Sequence, residues 1–336
     1  MKNFTCICIC IAILLGVFSG CKGEENISTE TVYAMDTIMN LTVYGDNADE
    51  CIEACKVELK RLEKLLSFTN PNSDVSIINS HLEQSVSSET VSILKKAFEI
   101  SDLTNGYFDI TVGNLVKAWG FTQDKQEVPS EETINSLLSG VEYKNVKILN
   151  NTVSIPENTA IDLGGIVKGY AGDRLVSILS QKGAKSAILS LGGNVVTYGS
   201  KPDRQKWIVE IADPNDTQSD VGSLEISGEK AIVTSGDYQR YFEQDGMRYH
   251  HILDPYTGYP ASNGLSSVTV ICDDGTTADA LSTALFVMGK EKALELYNKN
   301  SNIFEAVFVL SNGKVEYTDG LKDIIDVPRD KNSSLV

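Results

Sequence analysis

Only three histidines occur in the 336 residues, and two are neighbours in His250-His251-Ile252-Leu253-Asp254-Pro255-Tyr256-Thr257-Gly258. Histidine is the side chain best suited to moving a proton near neutral pH. The pair runs into Asp-Pro-x-Thr-Gly, which reads as a strand end breaking into a tight turn, where a fold holds a reactive group rigidly yet exposed. The competing reading is an edge strand with one histidine packed and the other wet. A second chemistry lies in Asp162-Leu163-Gly164-Gly165-Ile166-Val167-Lys168-Gly169-Tyr170. Its glycines let backbone approach a ligand, and the free amides of a helix start suit phosphate. Asp162 and Lys168 set opposite charges around that turn. The segment is neither GxGxxG nor a P-loop, and a helix cap beside a solvated lysine would use the same residues.

Asp279 and Thr283 stand four apart on one helix face, and both are hard oxygen donors. They suit Mg²⁺ that completes its shell with water and substrate phosphates. The plainer alternative has Thr283 bonding back to the carbonyl of Asp279. Tyr107-Phe108-Asp109 sets aromatics beside an acid, able to clamp a planar ring and bond its edge, or to serve as core and cap. Ser235-Gly236-Asp237-Tyr238-Gln239-Arg240 gives a turn followed by an arginine able to hold a phosphate.

The elements that must position these groups can be read from periodicity. Residues 38–44 read as a strand. Ile52, Cys55, Leu59, Leu62 and Leu66 follow the 3–4 spacing of an amphipathic helix. Further helices are expected from Glu89 to Leu103, after a Ser130 cap, and from Gly164-Gly165 to Gly183. Tyr143 to Ile155 reads as a hairpin across Asn150-Asn151. Strand-like runs follow at 186–190, 194–198, 206–211, 222–226, 230–234, 238–243, 247–253 and 266–272. Helices at 276–288 and 291–298 precede a last hairpin, 303–318, turned at Ser311-Asn312-Gly313. Helices and strands mix without strict βαβ alternation. The fold class is therefore α+β, a single large mixed domain with antiparallel-rich sheets flanked by helices.

The chain is 42% hydrophobic and 22% charged, with a formal net charge of −17 from 46 acidic and 29 basic residues. Such a surface repels nucleic acid, so a phosphate-bearing ligand must be held by local groups or a divalent cation. Lys2 and the apolar run Cys6 to Phe18, then Ser19-Gly20-Cys21, read as a lipoprotein signal over 1–20 that leaves Cys21 as the lipidated N-terminus. Phe18 replaces the usual leucine three places before that cysteine, and a plain secretion signal is the alternative. A polar tether over 21–31, a domain over 32–326 and a polar tail over 327–336 complete the layout. Cys51, Cys55 and Cys272 form no CxxC and read as core thiols.

In this order the segments resemble the FAD:protein FMN transferases, the ApbE-type flavin transferases. The resemblance runs through Met35-Asp36-Thr37, FDITVG (108–113), DLGGIVKGY (162–170), LGGN (191–194), TSGDYQRYF (234–242), HHILDPYTGYPA (250–261) and ADALSTALFVMG (278–289). Asp36 departs from the usual glycine, Asn114 from a common proline and Val167 from a frequent alanine. The resemblance implies Mg²⁺-dependent transfer of the FMN half of FAD to a threonine hydroxyl of a partner, releasing AMP. It implies metal ligands at Asp279, Thr283 and the Gly165 carbonyl, and a catalytic base at His251 but not His250. Met35, Tyr107, Phe108, Asp109, Asp162 and Lys168 match FAD contacts, and Thr69 falls near another. The expected partner is an extracytoplasmic flavoprotein subunit of a redox system, met by a lipid-anchored enzyme at the cell membrane. An FAD pyrophosphatase and a non-catalytic flavin-binding lipoprotein are the alternatives.

Overall fold

A computed structural model describes residues 26–123, 125–203, 205–328 and 331–336. The expected lipidation site Cys21 lies outside the described residues. The chain opens with an antiparallel hairpin of β1 (Ile27–Ala34) and β2 (Thr37–Tyr44), paired from Ile27↔Tyr44 to Ala34↔Thr37. Its two-residue turn is Met35-Asp36, with φ of 51° and 58°. Two successive left-handed residues make the primed turn that matches strand twist, a place where glycine is unstrained and Asp is among the tolerated side chains. Residues 27–31, expected in a tether, are thus already strand. They read as polar because β1 is a sheet edge that buries only Val32 and Ala34.

Helix α1 (Ala48–Leu66) buries Cys51, Ile52, Cys55, Leu59, Leu62 and Leu66 along one stripe. Next come α2 (Asp74–His81), β3 (Glu83–Ser85) and α3 (Ser88–Leu103), with Ser73 and Ser87 accepting N–H bonds at the two helix starts. Short helices α4 (Gly113–Ala118) and α5 (Glu131–Leu138) follow, the latter capped by Ser130 as expected. Strands β4 (Lys147–Leu149) and β5 (Thr152–Ser154) form the 143–155 hairpin. After α6 (Val167–Gln181) come β6 (Ser186–Leu191), β7 (Asn194–Tyr198), β8 (Trp207–Asp213), β9 (Asp216–Ile226) and β10 (Lys230–Gly236). A two-stranded ribbon, β11 (Tyr241–Gln244) with β12 (Met247–His250), precedes β13 (Leu265–Cys272), α7 (Gly275–Met288) and α8 (Lys290–Asn300). The chain closes with β14 (Phe304–Leu310), β15 (Val315–Tyr317), β16 (Ile325–Asp326) and β17 (Ser333–Leu335).

The main sheet has the order β1-β2-β6-β7-β10-β13-β14-β15-β17, antiparallel throughout except for β15 with β17. The polar tail therefore ends as an exposed edge strand. Both faces of the sheet centre are covered, so β13 is buried at all eight positions. Val268 and Val270 face the core under α1, α6 and α7, whereas Ile271 faces a second core under the β16-β9-β8 sheet. The α+β expectation is met. Two expected strands are shorter than read: 238–243 begins only at Tyr241, and 247–253 stops at His250. The three cysteines among the described residues are free and buried, and burial pushes the Cys55 thiol up to about 12.

Candidate functional site

Because β12 ends at His250, the two histidines have different surroundings. His250 is buried, donates from Nε2 to the Ala261 carbonyl at 2.9 Å, and receives the Ile252 N–H at Nδ1 (3.3 Å). The second contact makes Nδ1 the acceptor, so Nε2 carries the hydrogen and both nitrogens are engaged. His250 is structural. His251 is the first residue beyond the strand and is half-buried. Its backbone N–H and its Nδ1 both meet the Arg240 carbonyl, at 3.0 and 3.2 Å. A carbonyl only accepts, so Nδ1 carries the hydrogen and Nε2 the lone pair. The Phe121 edge packs against the ring.

The loop beyond His251 is held from beneath. Asp254 accepts N–H bonds from Tyr256 at its side chain and from Gly258 at its carbonyl, both 2.8 Å, and a bridge joins Leu253 to Pro260. Gly258 has φ of 74°, and a Cβ there would lie 2.6 Å from Ile134. Its carbonyl accepts from the buried Trp119 indole N–H at 2.8 Å. A small core of Leu115, Trp119, Phe121, Ile134 and Leu253 thus supports the turn.

Helices α6 and α7 bring the second and third groups together. A Cβ on Gly169 would fall 2.1 Å from the Gly275 carbonyl, so these helices meet backbone to backbone. The Gly169 N–H donates to Asp279 Oδ2 at 2.8 Å, leaving Oδ1 without a hydrogen-bond partner among the described residues. Every residue of α7 is buried except Thr283. The alternative back-bond from Thr283 to the Asp279 carbonyl does not form; the hydroxyl that reaches that carbonyl is that of Ser282, at 2.9 Å. A Cβ on Gly165 would meet Phe108 at 3.2 Å and the Thr283 hydroxyl at 3.3 Å, so bare backbone lies against Thr283. Among the described residues no group of three or more His, Cys, Asp or Glu side chains is placed to hold a metal ion. One carboxylate with a hydroxyl and backbone carbonyls is a hard, weakly charged donor set. It fits Mg²⁺ that keeps water and phosphate ligands, and does not fit a Zn²⁺ site.

His251, Gly165, Asp279 and Thr283 line one cleft of about 910 Å³, as do Met35, Thr69, Tyr107, Phe108, Asp109, Asp162, Lys168 and Arg240. A site of that size holds a large ligand. Asp109 sits in the wall but its oxygens are engaged by Thr111 N–H (2.8 Å), Thr111 Oγ1 (2.5 Å) and Tyr143 N–H (3.0 Å). It shapes the wall and has little left for a ring edge. Asp162 Oδ1 accepts from Gly164 N–H at 2.6 Å, and burial pushes its carboxyl up, opposed by that bond and the Arg240 charge. Met35 is tied by its N–H to Glu63 Oε1 at 2.7 Å, and Asp36 is exposed at the rim. Burial first, then the positive charges of Lys168 and Arg240, hold the His251 pKa down to about 3. The imidazole is neutral at pH 7.

Residues 35–308 match the family model described as the ApbE family. The chain belongs to the ApbE family. It is 37% identical over 297 residues to an FAD:protein FMN transferase of Klebsiella pneumoniae, covering 86% of this chain and 91% of that one. A Vibrio cholerae protein of the same name is 35% identical over 268 residues, 77% of this chain and 79% of its own. The crystal structure of an ApbE protein from Thermotoga maritima superposes with a TM-score of 0.84 at 38% identity, covering 88% of this chain and 98% of that one. The apo flavinyl transferase ApbE of Pseudomonas stutzeri gives 0.79 at 28% identity, with 89% and 97% covered. Within this ApbE fold the cleft unites every described site residue expected from sequence. Sequence reading missed Phe121, whose only signal is an aromatic after Trp119-Gly120. It also missed Asp173, which holds the start of α7 through Gly275 N–H (2.7 Å) and Thr276 N–H (2.8 Å).

Proposed function

We propose that the protein transfers the FMN half of FAD to a threonine hydroxyl of a partner flavoprotein, with release of AMP. The observation that carries this reading is the neutral His251, its Nδ1 fixed on the Arg240 carbonyl, in the same cleft as the Gly165, Asp279 and Thr283 oxygens. A threonine hydroxyl is a poor nucleophile unless a base takes its proton. Its oxygen would bond the FMN phosphorus as the anhydride P–O bond breaks. The hydroxyl proton passes to His251 Nε2, and the bridging oxygen leaves with AMP. Lys168 and Arg240, which make no ion pair among the described residues, line the cleft and would face the diphosphate; Tyr107 and Phe108, in its wall, would border the flavin. Mg²⁺ held by Asp279, Thr283 and the Gly165 carbonyl would neutralise charge on the diphosphate.

The same reading places the enzyme outside the cytoplasm, anchored through a lipid on Cys21 and acting on redox-complex flavoprotein subunits. Among the described residues no helix is long and apolar enough to cross a membrane. The support is the leader pattern ending at Ser19-Gly20-Cys21. The test of the chemistry is AMP release from FAD, with Mg²⁺ and acceptor, by the wild-type chain and by His251→Ala. Loss of AMP release with FAD binding retained supports the assignment, and full activity of the variant removes His251 as the base.

A further inference from the structure

We propose that Ser235 is a positioning residue for the cation. Through a one-way hydrogen-bond chain with Ser282 it turns the lone pairs of Thr283 toward the cleft. The proposal rests on the metal reading above. It follows from hydrogen counting, because a hydroxyl has one hydrogen to donate and otherwise accepts.

Ser282 is fully buried on α7, and its Oγ lies 2.9 Å from the Asp279 carbonyl, which only accepts. The Ser282 hydrogen is therefore directed there. Ser235, at the end of β10, has its Oγ 2.8 Å from Ser282 Oγ. With the Ser282 hydrogen committed, Ser235 must be the donor of that bond. Toward Thr283 Oγ1, 3.5 Å away, Ser235 then presents only lone pairs. The Thr283 hydrogen points back at β10, and its own lone pairs point at the space shared with Asp279 and Gly165. Were the chain reversed, a hydrogen would face the cation. At 3.5 Å this contact is longer than the about 2.5–3.0 Å usual between hydroxyls, and it is a weak link in the absence of the cation. A cation drawing on the Thr283 oxygen makes its hydrogen a stronger donor and tightens the link.

Neither serine is an expected ligand, so the consequence is specific. Binding of Mn²⁺, used as a probe for Mg²⁺, is measured on the full chain by titration calorimetry and by electron paramagnetic resonance. Ser235→Ala and Ser282→Ala should each weaken Mn²⁺ binding about tenfold, the scale of an outer-shell partner. In Ser282→Ala the Ser235 hydrogen is freed to compete for the Thr283 oxygen. Hence the double variant should bind no worse than Ser235→Ala alone, a non-additivity that general loosening of the packing would not give. Ser235→Thr, which keeps the hydroxyl, should restore affinity. Unchanged affinity in Ser282→Ala, or additive losses in the double variant, would overturn the chain. Unchanged affinity in Thr283→Ala would instead overturn the metal reading beneath it.

Discussion

At the residue scale, two adjacent histidines divide into a structural member and a chemical one because a strand ends between them. His250 has both ring nitrogens engaged inside the fold, whereas His251 keeps Nε2 open. We predict that His251→Ala lowers kcat by about 10²–10⁴, the range of a general base, with FAD affinity changed less than about twofold. An intact kcat with weakened FAD binding would make His251 a binding residue instead. The depressed pKa has a signed consequence. Only protonated His251 is inactive, so the acid limb of kcat/KM, which reports free enzyme, should lie near its pKa of about 3. Bound diphosphate offsets the Lys168 and Arg240 charges, so the limb of kcat should lie at higher pH than that of kcat/KM. A kcat/KM limb near the ordinary histidine value of about 6.5 would contradict this origin. The histidine pair was legible in sequence as a proton carrier, but the inequality was not, since it depends on the distant carbonyls of Arg240 and Ala261.

At the element scale, the site is a matter of docking α6 against α7. Gly169 and Gly275 permit the close approach, and Asp173 holds the N-terminal amides of α7. Asp173→Ala should destabilise the fold by about 0.5–2 kcal/mol, the value of a lost helix cap, and also weaken Mn²⁺ binding. Ser87→Ala, removing the cap of α3, should cost similar stability in a urea melt and leave Mn²⁺ binding alone. Equal metal affinity in both variants would deny Asp173 any part in setting the site. The stripe on α1, the Ser130 cap and the closing hairpin were legible because each is written in local spacing. Asp173 was not, since its partners lie about a hundred positions away and nothing local distinguishes it from a solvated helix acid. Strand β1 was missed for another reason: an edge strand wet on one side buries too little to show a pattern.

At the scale of the whole molecule, a chain of net charge −17 has to hold an anionic dinucleotide in a cleft of about 910 Å³ if the proposed reaction is to run. Lys168 and Arg240 supply two local cations, and the oxygen set at Gly165, Asp279 and Thr283 invites a third. Chelation by EDTA should therefore suppress AMP release, and Mg²⁺ should restore it; turnover that persists in chelator would remove the metal from the chemistry. The sheet order and the second core behind β13 were not legible, because long-range pairing leaves little local trace. The domain class was, from the mixture of periods alone. The proposed reaction ends with FMN on another protein. Its most direct test is intact mass spectrometry of a threonine-bearing flavoprotein acceptor incubated with the enzyme, FAD and Mg²⁺. The account predicts one FMN joined to the acceptor for each AMP released, and none on an acceptor whose threonine is replaced by alanine. Free FMN with AMP and an unmodified acceptor would contradict it.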